Sequence, residues 1–408
     1  MQVFLVAMIL ANIAGEMHWS FFPLYLQSLG ADVGKIGLFF TLSALVPLAL
    51  QILGGWLSDS IGRLQAIALG SLAGVLGYVV ILTAPSWQWL LLAVAASSLC
   101  SSFVGPSFQA FIAEQSTEQT RGRVYGVVEG IYSVVGVVGP PIGGYLVERF
   151  GFRPMLAVAA ALYLTATVIR LAMARGARQS EASANVSREK PSLKSLRGNL
   201  SAMAGLILAG GLITWIMLAD GVRDTAFTLG RQLEPLYMQD VGGLSTSQIG
   251  WLVSIASFTT MVLMMPAGWL SDKKGERVGI VTGFFVVAAG LLVFVNSRAF
   301  AGFAVAWGLY GLGDALIRPA YSALISKAVP EKLRGTAFGL FSTSLGVVSL
   351  PAPYIGALLW QQFGPAVPFY VPVVALLALL PVMWVKFKLP AASSRSREAP
   401  VAAEAAVN

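Results

Sequence analysis

Gly55-Trp56-Leu57-Ser58-Asp59-Ser60-Ile61-Gly62-Arg63 returns later in the chain as Gly268-Trp269-Leu270-Ser271-Asp272-Lys273-Lys274-Gly275-Glu276, identical at six of nine positions with an offset of 213 (268 minus 55). The same offset pairs Pro106 with Pro319, Arg121-Gly122 with Arg334-Gly335, Gly126 with Gly339, Pro140 with Pro353, Gly143 with Gly356 and Phe150-Gly151 with Phe363-Gly364. Near the start of each half, Pro23-Leu24-Tyr25 matches Pro235-Leu236-Tyr237 at an offset of 212. Chance does not hold a register over more than a hundred residues, so the chain is a duplicated unit.

Composition says what the unit is built for. Of 408 residues, 56% are hydrophobic and 11% charged, with a mean hydropathy of +0.75. Soluble domains carry about 25% charged residues, and so few charges could not cover this much apolar surface in water. A helix crosses a bilayer with about 20 apolar residues, and the sequence predicts spans at 3–27, 34–57, 65–84, 87–113, 124–147, 153–175, 203–232, 247–270, 278–297, 299–326, 336–360 and 366–388. Backbone groups in lipid must bond internally, which leaves helices or closed barrels. The runs are continuous and longer than barrel strands of about ten alternating residues. The expectation is an all-α membrane protein of twelve transmembrane helices in two six-helix repeats. Six is even, so both copies cross the membrane in the same sense and the repeat is parallel. Residues 1–175 form the first bundle, 176–200 a polar linker, 201–388 the second bundle and 389–408 a disordered tail.

Lys and Arg set the orientation. One set of joints carries Arg63, Arg121, Arg123, Lys273, Lys274, Arg277, Lys327, Lys332 and Arg334, and the linker adds Arg175, Arg178, Arg188, Lys190, Lys194 and Arg197. The other set carries only Lys35, Arg149, Arg153 and Arg298. The rich face is cytoplasmic, which places both termini in the cytoplasm and the chain in the inner membrane. The first apolar run lacks a basic leader and a small-residue cleavage site and reads as a retained helix. With one cysteine, Cys100, no intramolecular disulfide forms.

The repeated segment resembles the G-x-L-x-D-x-x-G-R signature carried between the second and third helices of the major facilitator superfamily, with the weaker copy usual between helices eight and nine. The resemblance covers residues 3–388. It implies a fold of two parallel halves with a solute site between them and alternating access to either side. It assigns Gly55, Asp59, Gly62 and Arg63, with Gly268, Asp272, Gly275 and Arg277, to a gate in the joints. Gly55 allows close helix approach, and Asp59 faces the positive end of the eleventh helix near Gly335–Ala337. By the repeat, Asp272 faces the fifth helix near Gly122–Val124. Glu276 replaces Arg63, so the basic role passes to Arg277 or is lost. The plain alternative is that these are solvated joint charges.

Gly139, Pro140, Gly143 and Gly144 in the fifth span resemble the G-P-x-x-G-G segment of efflux antiporters in this superfamily; a packing hinge is the bland reading of the same residues. The fourth span has no arginine, unlike many drug–proton antiporters. Ionisable residues within spans suggest function. They are Glu16 and His18 in the first, Glu129 in the fifth, Asp220, Arg223, Asp224, Arg231 and Glu234 in the seventh, and Asp314 and Arg318 in the tenth. Positions 220, 224, 227, 231 and 235 make one stripe. Asp314 and Arg318, four apart, can form a static ion pair. Glu16 and Glu129 have no obvious basic neighbour in their own half, and a carboxylate buried alone gains a proton readily; they are the favoured proton carriers. His18 reads foremost as a hydrogen-bonded helix residue.

One His, one Cys, and no P-loop or nucleophile motif exclude most hydrolytic, metal and nucleotide chemistry. The protein is expected to work without a cofactor, metal or nucleic acid, as a monomer in the bilayer, on a small solute and protons. The reading is proton-coupled efflux by alternating access. Uptake of a nutrient, or a non-transporting receptor on the same fold, remains open, and the solute can be polar, zwitterionic or a lipophilic cation.

Overall fold

The computed structural model describes residues 2–61, 63–114, 121–181, 211–329 and 346–387. Among them there is no strand. Eight helices are long and apolar enough to cross a membrane unaided, and a bent pair at the start of the chain makes a ninth. The second span is helical over Val33–Ile61. The seventh, Leu212–Arg231, carries four charged residues, and the eleventh is described from 346 onward and ends with Ala352–Phe363.

The first span is not one rod. Gln2–Trp19 and Phe22–Ser28 meet at a bend of 53°, and in the second half Leu212–Arg231 is followed by a separate helix, Glu234–Asp240. Pro23 and Pro235 sit at the first turn of the short helices, the one place where a missing N–H costs nothing. The tyrosine two residues on has a matching task in each half. Tyr25 Oη donates to the Ile81 carbonyl at 2.8 Å, and Tyr237 Oη to the Val295 carbonyl at 2.7 Å. The Pro-Leu-Tyr repeat is thus a bend plus a tie to the end of the third or ninth span.

The duplicated signature, expected as a loop, is mostly helix. The second span runs through Gly55 and Asp59 to Ile61, and Arg63 opens the third, Arg63–Thr83. In the second copy the helix reaches Lys274, and Gly275, at φ +90°, turns the chain into Glu276–Asn296. That left-handed conformation favours glycine. The sixth span, Phe152–Glu181, continues into the expected linker.

Packing repeats as the sequence does. In the first half, span one lies on five and six, three on four and six, and two on four; in the second, seven lies on eleven and twelve, nine on ten and twelve, and eight on ten. Glycine makes the tightest crossings. A Cβ on Gly143 would strike the Met17 carbonyl, and one on Gly356 the Leu229 carbonyl. Gly77 meets the Ala93 carbonyl as Gly290 meets that of Ala306, at 3.3 and 3.2 Å from the Cβ position.

The halves join through spans five with eight (Thr246–Lys274) and two with eleven. Their contacts are also related by the repeat. Gly37 faces the Pro353 carbonyl at 2.6 Å and Gly250 the Pro140 carbonyl at 2.5 Å, measured from the Cβ position. The Tyr354 amide donates to Thr41 Oγ1 at 3.2 Å, and Ser254 Oγ to the Val137 carbonyl at 2.5 Å. These residues lie towards the end of the bundle opposite the linker, called the far end below.

Gly143→Ala and Gly356→Ala are each expected to cost about 1–3 kcal/mol by overpacking. Gly15→Ala, with nothing within 4 Å, is expected to leave the melting temperature of the purified protein unchanged. Thermal unfolding in detergent checks the contrast.

Candidate functional site

Two cavities flank the seventh span. The one in the second half, about 520 Å³, is walled by Asp220, Arg223, Asp224, Arg231, Asp314 and Arg318, with Tyr310 and Tyr321 among its aromatic residues. Of the stripe 220, 224, 227, 231 and 235, the first four share one face of Leu212–Arg231 and line the cavity, whereas Pro235 falls in the next helix, Glu234–Asp240. Asp220 is buried, and Arg223 Nη2 lies 2.6 Å from its Oδ1 and 2.7 Å from Asp224 Oδ1. The same guanidinium sits 5.5 Å from the Tyr321 ring centroid and 5.8 Å from that of Phe284. On the tenth span, Phe300–Ala328, Arg318 Nε pairs with Asp314 Oδ2 at 2.6 Å. Arg318 remains 68% exposed, so its outer edge is open to a ligand. Arg231 lies within electrostatic reach of Glu234, which lines a small pocket with Trp307 and Tyr310 instead of standing in solvent.

The other cavity, about 510 Å³, is lined chiefly by the first half, including His18, Trp19, Ser97, Ser98, Ser101 and Ser102, and is closed on the other side by Thr228 and Gln232 of the seventh span. No lining residue carries a formal charge. Ser101 and Ser102 donate to the carbonyls of Ser97 and Ser98 one turn back, which turns their oxygen lone pairs into acceptors for a guest. This serine face escaped the sequence reading. Its signal is the 97, 98, 101, 102 spacing on one side of Leu90–Glu114. His18 Nδ1 is 2.9 Å from the Ala14 carbonyl and 3.5 Å from Tyr78 Oη, the hydrogen-bonded helix residue the sequence suggested.

Glu16 and Glu129 differ from one another. Glu16 is partly buried on the first span, its Cβ close against Gly139. Among the described residues it has no hydrogen bond or ion pair. Glu129 is exposed, where burial was expected. Its charge reaches Arg318 across the halves, and Tyr132 lies within reach of both Glu129 and Arg170. A cation of the same half that the sequence analysis did not weigh is Arg170 of the sixth span. Arg170 is 3% exposed. Nη1 donates to Ser71 Oγ at 2.8 Å and Nη2 to Met8 Sδ at 3.4 Å, while Nε has no partner among the described residues. The missed signal is a lone arginine in the apolar run 161–174, matched in the repeat by the buried Met383.

Within Arg121–Phe150 the three glycines of the antiporter-like segment are all close contacts. Gly139 meets Glu16, Gly143 meets Met17, and Gly144 meets the Thr246 carbonyl of the other half, with Thr246 Oγ1 donating back to the Gly144 carbonyl at 3.1 Å. Pro140 supplies the carbonyl under Gly250.

For the joint motif, Gly62 lies outside the described residues, as does the expected partner of Asp59 at 335–337. Gly268 has no neighbour within 4 Å among the described residues. Asp272 is exposed. Glu276, in the place of Arg63, pairs with Lys327 of the tenth span. Arg277 donates from Nη1 to the Trp384 carbonyl at 2.9 Å, with its guanidinium carbon 4.2 Å from the Trp384 ring centroid. The second copy thus binds its neighbours through the acid Glu276, held by the tenth span, and the base Arg277, held by the twelfth, Val367–Lys386.

The family model described as Major Facilitator Superfamily matches residues 4–230 and again 225–407. The chain belongs to that superfamily and is a membrane transporter, not an enzyme. It is similar to a protein named multi-drug resistance efflux pump PmrA homolog from Lactococcus lactis, 26% identical with 81% of each chain covered. It is also similar to the multi-drug resistance efflux pump PmrA of Streptococcus pneumoniae, 24% identical with 86% of each covered. Among solved structures, a bacterial homologue of the iron transporter ferroportin in an inward-facing state superposes with a TM-score of 0.75, at 16% identity over 95% of this chain and 98% of that one. The peptide transporter POT in complex with sulfate gives 0.70 at 16% identity, over 94% of each chain. At that identity the likeness shows the fold alone.

Arg223→Met strands two carboxylates and is expected to cost about 3–5 kcal/mol. Arg170→Met removes a buried cation that pairs with no carboxylate among the described residues and installs the residue of the sister half; it is expected to hold or raise the melting temperature. Thermal unfolding of the two variants beside the wild type distinguishes the two arginines.

Proposed function

We propose that the chain exports a small amphipathic solute in exchange for protons, by alternating access across the inner membrane, with Glu16 as the proton-carrying carboxylate. The observation that carries this reading is the unpartnered Glu16 held against Gly139, where the first span meets the antiporter-like segment of the fifth. A carboxylate in such surroundings is cheap to hold neutral and costly to hold ionised. Movement of the halves changes how much water reaches it, so its two protonation states favour different conformations, as coupling requires. The solute's apolar body suits the serine-lined cavity, and its polar end the Arg and Asp side chains beyond the seventh span. The names of the pneumococcal and lactococcal relatives support export and a broad solute range. Asp59 and Asp272 act, on this reading, at the linker-side gate.

The test is transport of a fluorescent lipophilic cation by protein reconstituted in liposomes under an imposed pH gradient. Wild type is expected to respond to the gradient. Glu16→Gln is expected to lower the gradient-driven rate at least about tenfold, the effect typical of losing a positioned proton acceptor, while leaving solute binding in place. Glu129→Gln, whose parent carboxylate is exposed and near Arg318, is expected to lose less. Full gradient-driven transport in Glu16→Gln would remove it as the carrier, and indifference of the wild type to pH would remove proton coupling.

A further inference from the structure

The far end of the bundle is closed by two junctions that the repeat makes equivalent, yet their charges are distributed differently. At one, Asp32 immediately precedes the helix Val33–Ile61, its carbonyl accepting from the Ile36 amide. The Lys35 amide donates to Asp32 Oδ1 at 2.9 Å, and Lys35 Nζ lies 2.9 Å from Oδ2. These bonds from Lys35 hold the Asp32 carboxyl below its ordinary range. Across the junction stands the neutral Gln361, its amide 3.0 Å from the Cβ position of Gly34. At the other junction each of these residues has its counterpart 213 positions away: Ser245 for Asp32, Gln248 for Lys35, Ser247 for Gly34 and Glu148 for Gln361. Ser245 and Gln248 cap Thr246–Lys274 with a neutral capping box. The anion comes from the opposite half. Glu148 Oε2 accepts from Ser245 Oγ at 2.7 Å and from the Ser247 amide at 3.0 Å.

A helix N-terminus favours an anion, and both of these helices have one. Asp32 belongs to the half whose helix it caps and travels with it. Glu148 belongs to the half that moves away. Opening the far end therefore leaves the helix of span two fully capped but strips the helix of span eight of its carboxylate, and strips Glu148 of two charge-assisted hydrogen bonds. We infer that Glu148 is a one-sided latch on the far gate, a positioning residue that sets the balance between far-side-closed and far-side-open states. Gln361 cannot do the same, because a carboxylate there would face Asp32. The inference rests on alternating access but on neither the solute nor the coupling ion.

The charge distribution can be exchanged between the two junctions, which gives the test. Ser257 of span eight faces Gly136 of span five, its Oγ 3.5 Å from the Cβ position. In a Cys100→Ser background, Ser257→Cys is alkylated with an impermeant maleimide applied to sealed vesicles, on the face where the exposed joint variant Gln88→Cys reacts. The rate then tracks the far-side-open fraction even when that state is rare. Glu148→Gln is expected to raise the rate about fivefold, the size of a lost charge-assisted contact at an exposed helix end. Ser245→Asp alone, which sets two carboxylates against each other, is expected to raise it further. The double variant Ser245→Asp/Glu148→Gln copies the Asp32–Gln361 junction and is expected to return the rate to within about twofold of wild type. A Glu148→Gln rate indistinguishable from wild type, or a double variant no slower than Ser245→Asp alone, overturns the latch. A structural defect would add in the double variant instead of cancelling. Transport that ignores a pH gradient leaves these rates untouched, so failure of the proposed coupling and failure of the latch are separate results.

Discussion

Close approach of helix backbones at duplicated glycines is the constraint on which this structure rests. Lipid offers no hydrophobic drive for one apolar helix to seek another, so association depends on contact and on small residues that permit it. Gly143 on Met17 and Gly356 on Leu229 fix how the first span crosses the fifth and the seventh crosses the eleventh. Gly37 and Gly250, each seated on a proline carbonyl, fix how the halves meet. The antiporter-like segment of the fifth span owes its geometry to the same principle: two of its glycines face inward to the first span and one faces outward to the eighth. A segment engaged on both sides transmits any movement of the first span to the junction between the halves.

On this common frame the two halves have diverged in charge. The second half holds its partly buried arginine, Arg223, between two aspartates and over two aromatic rings. The first half holds Arg170, among the described residues, with a serine hydroxyl and a thioether. The cavities follow suit, one walled with hydroxyls and the other with three aspartates and three arginines. The seventh span thus stands between an apolar, hydrogen-bonding wall and an ionic one, an asymmetry that duplication alone would not give. The joints diverged too. Where Arg63 stands in the first copy the second has Glu276, which is not idle but joined to Lys327, while Arg277 turns to the twelfth span.

Much of this was legible in the chain. Twelve apolar runs, an offset of 213 and an even number of spans per copy dictate two parallel six-helix bundles, because lipid forbids unpaired backbone and a repeat with an even number of crossings keeps its sense. The stripe at 220, 224, 227 and 231 follows from helical periodicity, and so does the pairing of Asp314 with Arg318. Those are facts of one helix, and one helix can be read from its own residues.

What only the tertiary structure decided lies between helices. The spacing of Pro23 and Tyr25 could not say that the helix bends there and that the hydroxyl ties down the end of another span. Glu16 and Glu129 read alike in sequence, yet one lies against Gly139 with no partner among the described residues and the other is exposed, within reach of Arg318 from the other half. Glu148 drew no notice as one acid at the end of a span. Its meaning arises from Ser245 and Ser247, about a hundred residues away, and from comparison with Asp32 and Gln361 at the sister junction. Periodicity and transfer energy are properties of a local stretch and survive in the sequence; the partner of a charge depends on which surfaces the folded halves bring together, and that is settled by packing.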